Sequence, residues 1–470
     1  LILALAFAML LQTAQTATAP PLTAYVENYE YENGATVDII ANKTTLYAVL
    51  DEAKYVLTRE NGDSFRNGTG SRVAFHRDVK GEVDGFQESG HTYRRLTQTP
   101  SPSAINLGTP RPNGEATYTY RVPPDLHDGL MPGNIAASDL RAEDASAIAD
   151  GILHERWPDV HSVLLYQRGK LIYEEYFYGY DWQHQHQLRS ATKSVVATLA
   201  GIAVDLHAIP SVNEPVLPYM KYASYHNPDS RKAAITLQDI LSMQSGLACD
   251  DHNPKSPGNE VVIDETPDWV KATLDLPLIN PPGTKGFYCS GGVAVVGRMV
   301  ENATHTYLPD FAQRTLFGPM GIQASQYTWN YNLTNANKEY SQIHLRPRDM
   351  MKLGVMLESG GKWNGHQIVS SEYAQRALSA VSTVDDTEYG YFWWRPWLAV
   401  QTSQGQQRVF VSAAQGNGGQ KIFVLPEYDL VAVFTAGSYN AGGSAPNKIM
   451  STIILPRLLA AHGGVAQSTK

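Results

Sequence analysis

The segment Ser190-Ala-Thr-Lys193, followed by Val195, Val196, Leu199, Ile202, Ala203 and Leu206, constrains this 470-residue chain more than any other. Apolar residues recurring every three or four positions predict a buried helix over the stretch Ser194–Ile209. Its first turn then carries a hydroxyl and an amine three residues apart, on one face. A serine hydroxyl is a weak nucleophile unless a base lies beside it, and this spacing supplies one. An ordinary helix start, with Ser190 as cap and Lys193 in solvent, would leave the same residues. The pattern recurs as Ser359-Gly-Gly-Lys362, but inside the Gly-rich turn Glu358–Gly365, where no apolar run is attached.

Hydrophobic residues at 43% and charged residues at 18% describe a globular protein able to bury a large core. The length predicts two or three domains. A net charge of −9, a pI near 5.9 and the lack of any basic run argue against nucleic acid or an anionic membrane surface as partner. Leu1–Leu11 is uninterrupted apolar sequence, and Gln12–Ala19 is rich in Ala and Thr. Residues 1–19 therefore resemble the apolar core and cleavage zone of a signal peptide. Such a stretch is too short for a stable membrane span. The expectation is an exported protein, secreted or periplasmic.

Short β-rich runs separated by Gly-containing turns occupy residues 23–97: Ala35–Ile40, Thr45–Asp51, Lys54–Thr58, Arg72–Arg77, Glu82–Gln87 and His91–Leu96. They predict a small all-β domain, a sandwich or a partly closed barrel, with a structural or docking role. Thr97–Asn113 is rich in Pro, Ser and Thr and opens a linker over 98–124. Downstream, strands are expected at Val160–Tyr166, Lys170–Phe177, Tyr391–Trp394, Arg408–Ala413, Lys421–Leu425 and Leu430–Thr435. Helices are expected at Arg348–Leu357, Ser371–Leu378 and Asn447–Ala460. Strands at both ends of 125–462 around a helical middle predict an α+β domain, an antiparallel sheet with helices packed on it.

Two further motifs bear on chemistry. Tyr288-Cys289-Ser290 follows the turn Pro281-Pro282-Gly283 and precedes the apolar run Val293–Val300, a setting that would fix a phenol at the mouth of a helix. The copies Tyr222-x-Ser224 and Tyr225-x-Asn227 lack that setting. Gln415-Gly416-Asn417-Gly418-Gly419-Gln420 leads into a strand; it is either a hairpin turn or a place where glycine N–H groups approach an oxyanion. His184-x-His186 has metal-compatible spacing without a companion cluster, so these read as supporting loop histidines, and neither metal nor cofactor is expected. The absence of Gly-x-Ser-x-Gly argues against an α/β-hydrolase. The aromatic block Tyr389–Trp397 reads as a core strand, some of whose rings also wall a pocket.

Taken together, Ser190-x-x-Lys193, Ile235-Thr236-Leu237-Gln238-Asp239-Ile240-Leu241 with Ser245-Gly246-Leu247, and Pro282-Gly283…Tyr288-x-Ser290 occur in the order found in serine β-lactamase-related hydrolases. Leu316–Ile322 and Arg346–Leu353 add matching pieces. The chain resembles the class C β-lactamase branch of the penicillin-binding-protein superfamily, which includes esterases and 6-aminohexanoate-dimer hydrolases, over roughly 125–462. The resemblance implies an antiparallel sheet flanked by helices, an all-helical lobe, and an active site between them. It implies Ser190 as nucleophile forming an acyl-enzyme, Lys193 as base and Tyr288 as proton relay. Ser290 and Gly416, Asn417, Gly418 and Gly419 would complete the oxyanion and substrate-binding site. For Lys193 to act, desolvation and the helix N-terminus must favour its neutral form.

Two departures matter. Gly416-Asn417-Gly418-Gly419 stands where relatives place a cation for a substrate carboxylate, and Ser290 replaces an Asn. Both favour small-molecule esters or uncharged amides over β-lactams or D-Ala-D-Ala peptides. The alternatives are a catalytically silent peptide- or glycan-binding protein on the same fold, or a true β-lactamase or D-Ala-D-Ala peptidase. Family geometry would also bring Cys249 and Cys289 near the site, and export would favour a disulfide between them over two buried thiols.

Overall fold

The computed structural model describes residues 19–463 except 32–33, 35, 51–52, 69, 112–113, 115–116, 330–341, 404 and 440–443. The signal-like segment 1–18, and the expected strand ends Ala35 and Asp51, lie outside the described residues. The chain forms two compact units that divide between Gly108 and Thr109.

The first unit is a closed barrel of eight antiparallel strands: Glu27–Tyr31, Thr36–Ala41, Leu46–Leu50, Ala53–Asn61, Ser64–Arg66, Arg72–Arg77, Val83–Glu88 and His91–Arg95. The first and last pair through Tyr29 and Arg95, so the sheet has no free edge. Closure, rather than a sandwich or a partial barrel, follows from two strands beyond the six expected. In Glu27–Tyr31 only Tyr29 is fully buried, and two glutamates interrupt any apolar alternation, while Ser64–Arg66 is short. Tyr25, Tyr29, Phe65, Phe75 and Phe86 fill the interior, with neighbouring ring centroids about 5–6 Å apart.

In the second unit, an eight-stranded antiparallel sheet joins distant parts of the chain. Its order is Lys170–Tyr176, Val160–Gln167, Leu430–Ala436, Gln420–Leu425, Ser412–Gly416, Trp394–Arg395, Thr387–Tyr389 and Ser382–Val384. The helix Pro347–Glu358 crosses the middle strands, and Gly354 permits the approach: a Cβ there would lie 2.5 Å from Val431 and 2.8 Å from Ile422. The Arg346–Leu353 segment is structural, since buried Arg348 forks onto Glu174 at 2.7 and 2.6 Å and reaches Asp128 at 3.2 Å. Between the strands His186–Gln187 and Tyr327–Trp329 the chain forms helices, turns and isolated bridges alone. This lobe contains Thr192–Asp205, Leu237–Leu241, Trp269–Asp275 and Gly291–Thr304.

Several expected elements differ. Tyr391–Trp393 is a bend, not a strand: Gly390 and Phe392 (φ 55°) turn the chain, and Phe392 N–H donates to Leu241 O. Arg408–Ala413 divides into two strands, Gly405–Phe410 and Ser412–Gly416. Leu206, placed by periodicity on the buried face, caps its helix and is 59% exposed.

Candidate active site

Ser190 lies in a 3-10 turn, Arg189–Ala191, that runs directly into the helix Thr192–Asp205. Arg189 enters it with φ 50°, a left-handed conformation that costs free energy for a side chain of this size. The turn is held from two sides. Leu188 N–H donates to Ile343 O at 2.8 Å, and Gly416 presses against Leu188 and Arg189 from the sheet. The helix behind it is buried all round from Thr192 to Ala203, so the turn rests on a rigid base.

Within this frame, Lys193 Nζ donates to Ser190 Oγ at 2.9 Å. Ser190 is half-buried and Lys193 is 1% exposed. A hydroxyl with some access to solvent thus faces an amine with almost none. The second Ser-x-x-Lys copy has no such pairing: Ser359 Oγ donates to the adjacent Glu358 carboxylate on an exposed turn.

Tyr288 arrives from the helical lobe. Lys193 Nζ lies 5.0 Å from its ring centroid. The ring is stacked between His252 and Trp394, at 5.3 and 5.2 Å, and is 8% exposed. Trp394 belongs to the aromatic block, whose rings divide between core and site: Tyr391 and Trp393 are buried, whereas Trp394 backs the phenol. His252 was not legible in the sequence as a neighbour of Tyr288, because the contact also needs Asp385, its partner across the fold.

Cys249 and Cys289 form a disulfide, with Cα atoms 5.3 Å apart, which fastens Ala248–Asp251 to Phe287–Ser290. Asp251 N–H donates to Tyr288 O at 2.8 Å, and Ser290 N–H donates to Asp251 Oδ2 at 2.7 Å. Asp251 is the main site residue that motif reading missed; nothing local distinguishes it from Asp250. Burial pushes its carboxyl above the usual range, opposed by the charge of Lys193 and by the adjoining Ser290 hydroxyl and N–H. Ser290 Oγ and Asp251 Oδ1 are both buried.

The Gly-rich segment is a hairpin turn, and it abuts the 3-10 turn that carries Ser190. Gly416 ends the strand Ser412–Gly416, and Gly418 (φ 90°) and Gly419 (φ 103°) make the turn. Gly419 N–H donates to Gly416 O at 3.3 Å, which commits that amide to the turn itself. Gln420, fully buried, pins the turn: its Nε2 donates to Ala436 O at 2.6 Å and its Oε1 accepts from Ala436 N–H at 3.1 Å. A cation adjoins the turn from an unexpected element, since the Arg189 guanidinium lies 4.9 Å from the Tyr439 ring centroid beside Gly418.

The remaining expected features lie to one side. His186 Nε2 and His161 Nδ1 are 2.9 Å apart in the core, and His184 packs on Tyr180. Among the described residues no group of three or more His, Cys, Asp or Glu is arranged to hold a metal, and no helix is long and apolar enough to cross a membrane. Tyr222 and Tyr225 sit in the lobe near Lys271.

Comparison with known proteins adds an independent finding. A family model described as Beta-lactamase matches residues 158–449. Lovastatin esterase of Penicillium rubens is 31% identical over 136 residues, 27% of this chain and 32% of that protein. The alignment thus spans about a third of that relative's length. The 6-aminohexanoate-dimer hydrolase of Paenarthrobacter ureafaciens is 25% identical over 302 residues, covering 60% of this chain and 73% of that protein. Among solved structures, EstCE1, a hydrolase with promiscuous acyltransferase activity, superimposes with a TM-score of 0.51 at 14% identity, covering 68% and 97% of the two chains. That likeness is one of fold.

Proposed function

This chain belongs to the beta-lactamase family, and we propose that it is an exported serine hydrolase that cleaves esters or uncharged amides through an acyl-enzyme on Ser190. The observation that carries this reading is the 2.9 Å approach of Lys193 Nζ to Ser190 Oγ at the head of a buried helix. Neutral Lys193 takes the Ser190 proton as Oγ attacks the carbonyl carbon. The developing oxyanion is met by the Ser190 N–H and an amide of the Gly416–Gly419 turn, donors that need little rearrangement because both segments are braced. Tyr288 passes the proton to the departing alcohol or amine, and water then releases the acyl group from Ser190.

The substrate class is supported by the names of the two relatives, one an esterase and one a hydrolase of 6-aminohexanoate dimers. It is supported also by the lack of a Lys or His within Gln415–Gln420 to grip a carboxylate. Export is supported by the apolar segment Leu1–Leu11 and by the disulfide. The barrel carries no comparable constellation, and we assign it a structural or docking role.

Steady-state hydrolysis of short-chain p-nitrophenyl esters tests this. Ser190→Ala and Lys193→Ala should each lower kcat by about a thousandfold or more with the fold intact, because the two groups act as a unit. Ser359→Ala should retain wild-type rates. Most of the activity surviving in Ser190→Ala would overturn the reading.

A further inference from the structure

The hairpin between the strands Ser382–Val384 and Thr387–Tyr389 turns through Asp385 and Asp386 alone, both left-handed at φ 46° and 60°. Two-residue turns of this kind favour Asn and Gly, and an aspartate accepts the conformation at some cost. The first of the two carboxylates has a partner outside the hairpin: Asp385 Oδ2 accepts from His252 Nδ1. His252 follows the segment that the disulfide fastens, and its own N–H donates to Asp250 Oδ1 at 3.0 Å. Its ring lies 5.3 Å from that of Tyr288 and within 7° of parallel, while Trp394 stacks on the same phenol at 5.2 Å. The chain leading to Tyr288 lies against the same hairpin. Gly286 bridges Val384, and a Cβ at Gly286 would sit 2.3 Å from Thr383 O.

We propose that Asp385 and His252 are positioning residues for Tyr288: the carboxylate holds the imidazole flat against the phenol and so keeps its hydroxyl aimed at the leaving group. Both act through Tyr288 and touch no reacting atom. The inference rests on the reading of Tyr288 as the proton relay. A tyrosine ring is free to turn about its side-chain bonds, and proton transfer needs one orientation of it. Two flanking rings remove that freedom. Trp394 is braced edge-on by Tyr389 at 4.9 Å. The His252 side chain is 52% exposed, so packing alone does not hold it, and Asp385 supplies the anchor. Asp385 is 56% exposed, and a surface ion pair of this kind contributes little to stability. Its effect should therefore be seen in catalysis rather than in folding.

The test compares kcat/KM for the ethyl and p-nitrophenyl esters of one short acid. Ethoxide departs only with a proton, whereas p-nitrophenolate departs without one, so the relay matters for the first ester alone. His252→Ala and Asp385→Gly, the latter chosen because glycine suits the turn, should each lose about tenfold or more on the ethyl ester and less than about threefold on the other. Asp385→Asn keeps an acceptor for Nδ1–H and should recover most of that loss. Equal losses on the two esters, as a merely structural role would give, or no loss on the ethyl ester, overturn the proposal. Tyr288→Phe losing equally on both would instead refute the relay reading, and a wild-type protein without hydrolase activity the Ser190 reading. The anchoring can also be read without turnover. In ¹³C NMR of labelled tyrosine rings, with Tyr288 assigned by its absence from Tyr288→Phe, Asp385→Gly leaves all three rings present. The Tyr288 resonance should nevertheless lose part of its upfield ring-current shift. An unchanged resonance overturns the anchoring.

Discussion

The carbonyl oxygen of Leu188 occupies the space in which a side chain at Gly416 would begin, 2.1 Å from an ideal Cβ. That approach locks the strand bearing the Gly-rich turn onto the 3-10 turn bearing Ser190. A substitution must push one away from the other, because the obstructing atom is main chain. Gly416→Ala should therefore lower kcat for activated esters by about tenfold or more while changing the melting temperature little. Wild-type kcat in folded Gly416→Ala would show that the two segments do not need this registry.

The disulfide closes a loop of 40 residues in sequence. In the chain-entropy account, constraining the unfolded chain to this extent stabilises the fold by about 3–4 kcal/mol. Cys249→Ser/Cys289→Ser should lose about that much in denaturant unfolding. Its residual activity should fall as well, because Tyr288 and Asp251 flank the two cysteines. Equal stability with and without the bond would contradict the first expectation, and unchanged kcat the second.

Lys421 is buried, and desolvation pushes its amine down to about 7, with Gln415 Oε1 as hydrogen-bond partner. The unfolded chain holds that proton up to the ordinary lysine range near pH 10. Between pH 7 and 10 the unfolded state binds more protons, so the contribution to stability rises with pH and is lost as pH falls towards 7. The slope approaches about 1.4 kcal/mol per pH unit in the middle of that window. Lys421→Met should flatten it. Parallel stability–pH curves for the two proteins would contradict the assignment.

Specificity follows from the turn that abuts Ser190. Gln415–Gln420 supplies no lysine or histidine, and the neighbouring Arg189 guanidinium is laid against Tyr439. Losing one charged hydrogen bond to a substrate carboxylate removes about 1.5–3 kcal/mol of transition-state binding. Short acyl esters should therefore exceed benzylpenicillin in kcat/KM by about tenfold or more. An equal or higher value for the β-lactam would mean that Arg189, or another cation, takes the carboxylate.

What the sequence disclosed here was local. A serine three residues before a lysine, with an apolar period behind them, specifies both a helix and a pair of side chains that meet. The strands Val160–Gln167 and Lys170–Tyr176, the helix Ser371–Leu378 and most barrel strands were legible for the same reason. The contacts that complete the site join residues far apart: Asp251 to Ser290, His252 to Asp385, Gln420 to Ala436. No periodicity encodes them. Tyr391–Trp393 misled because aromatic residues favour strands, whereas the bend there is set by tertiary anchors, Leu241 O on Phe392 N–H and Ser194 Oγ on Phe392 O.

The central claim, that Ser190 is the nucleophile, is tested most directly by covalent labelling. The wild-type protein would be treated with a fluorophosphonate, digested, and its modified peptide mapped by mass spectrometry. The account predicts one adduct on Ser190, absent from Ser190→Ala and greatly slowed in Lys193→Ala. An adduct on Ser359 or any other serine, or no adduct on folded protein, would contradict it.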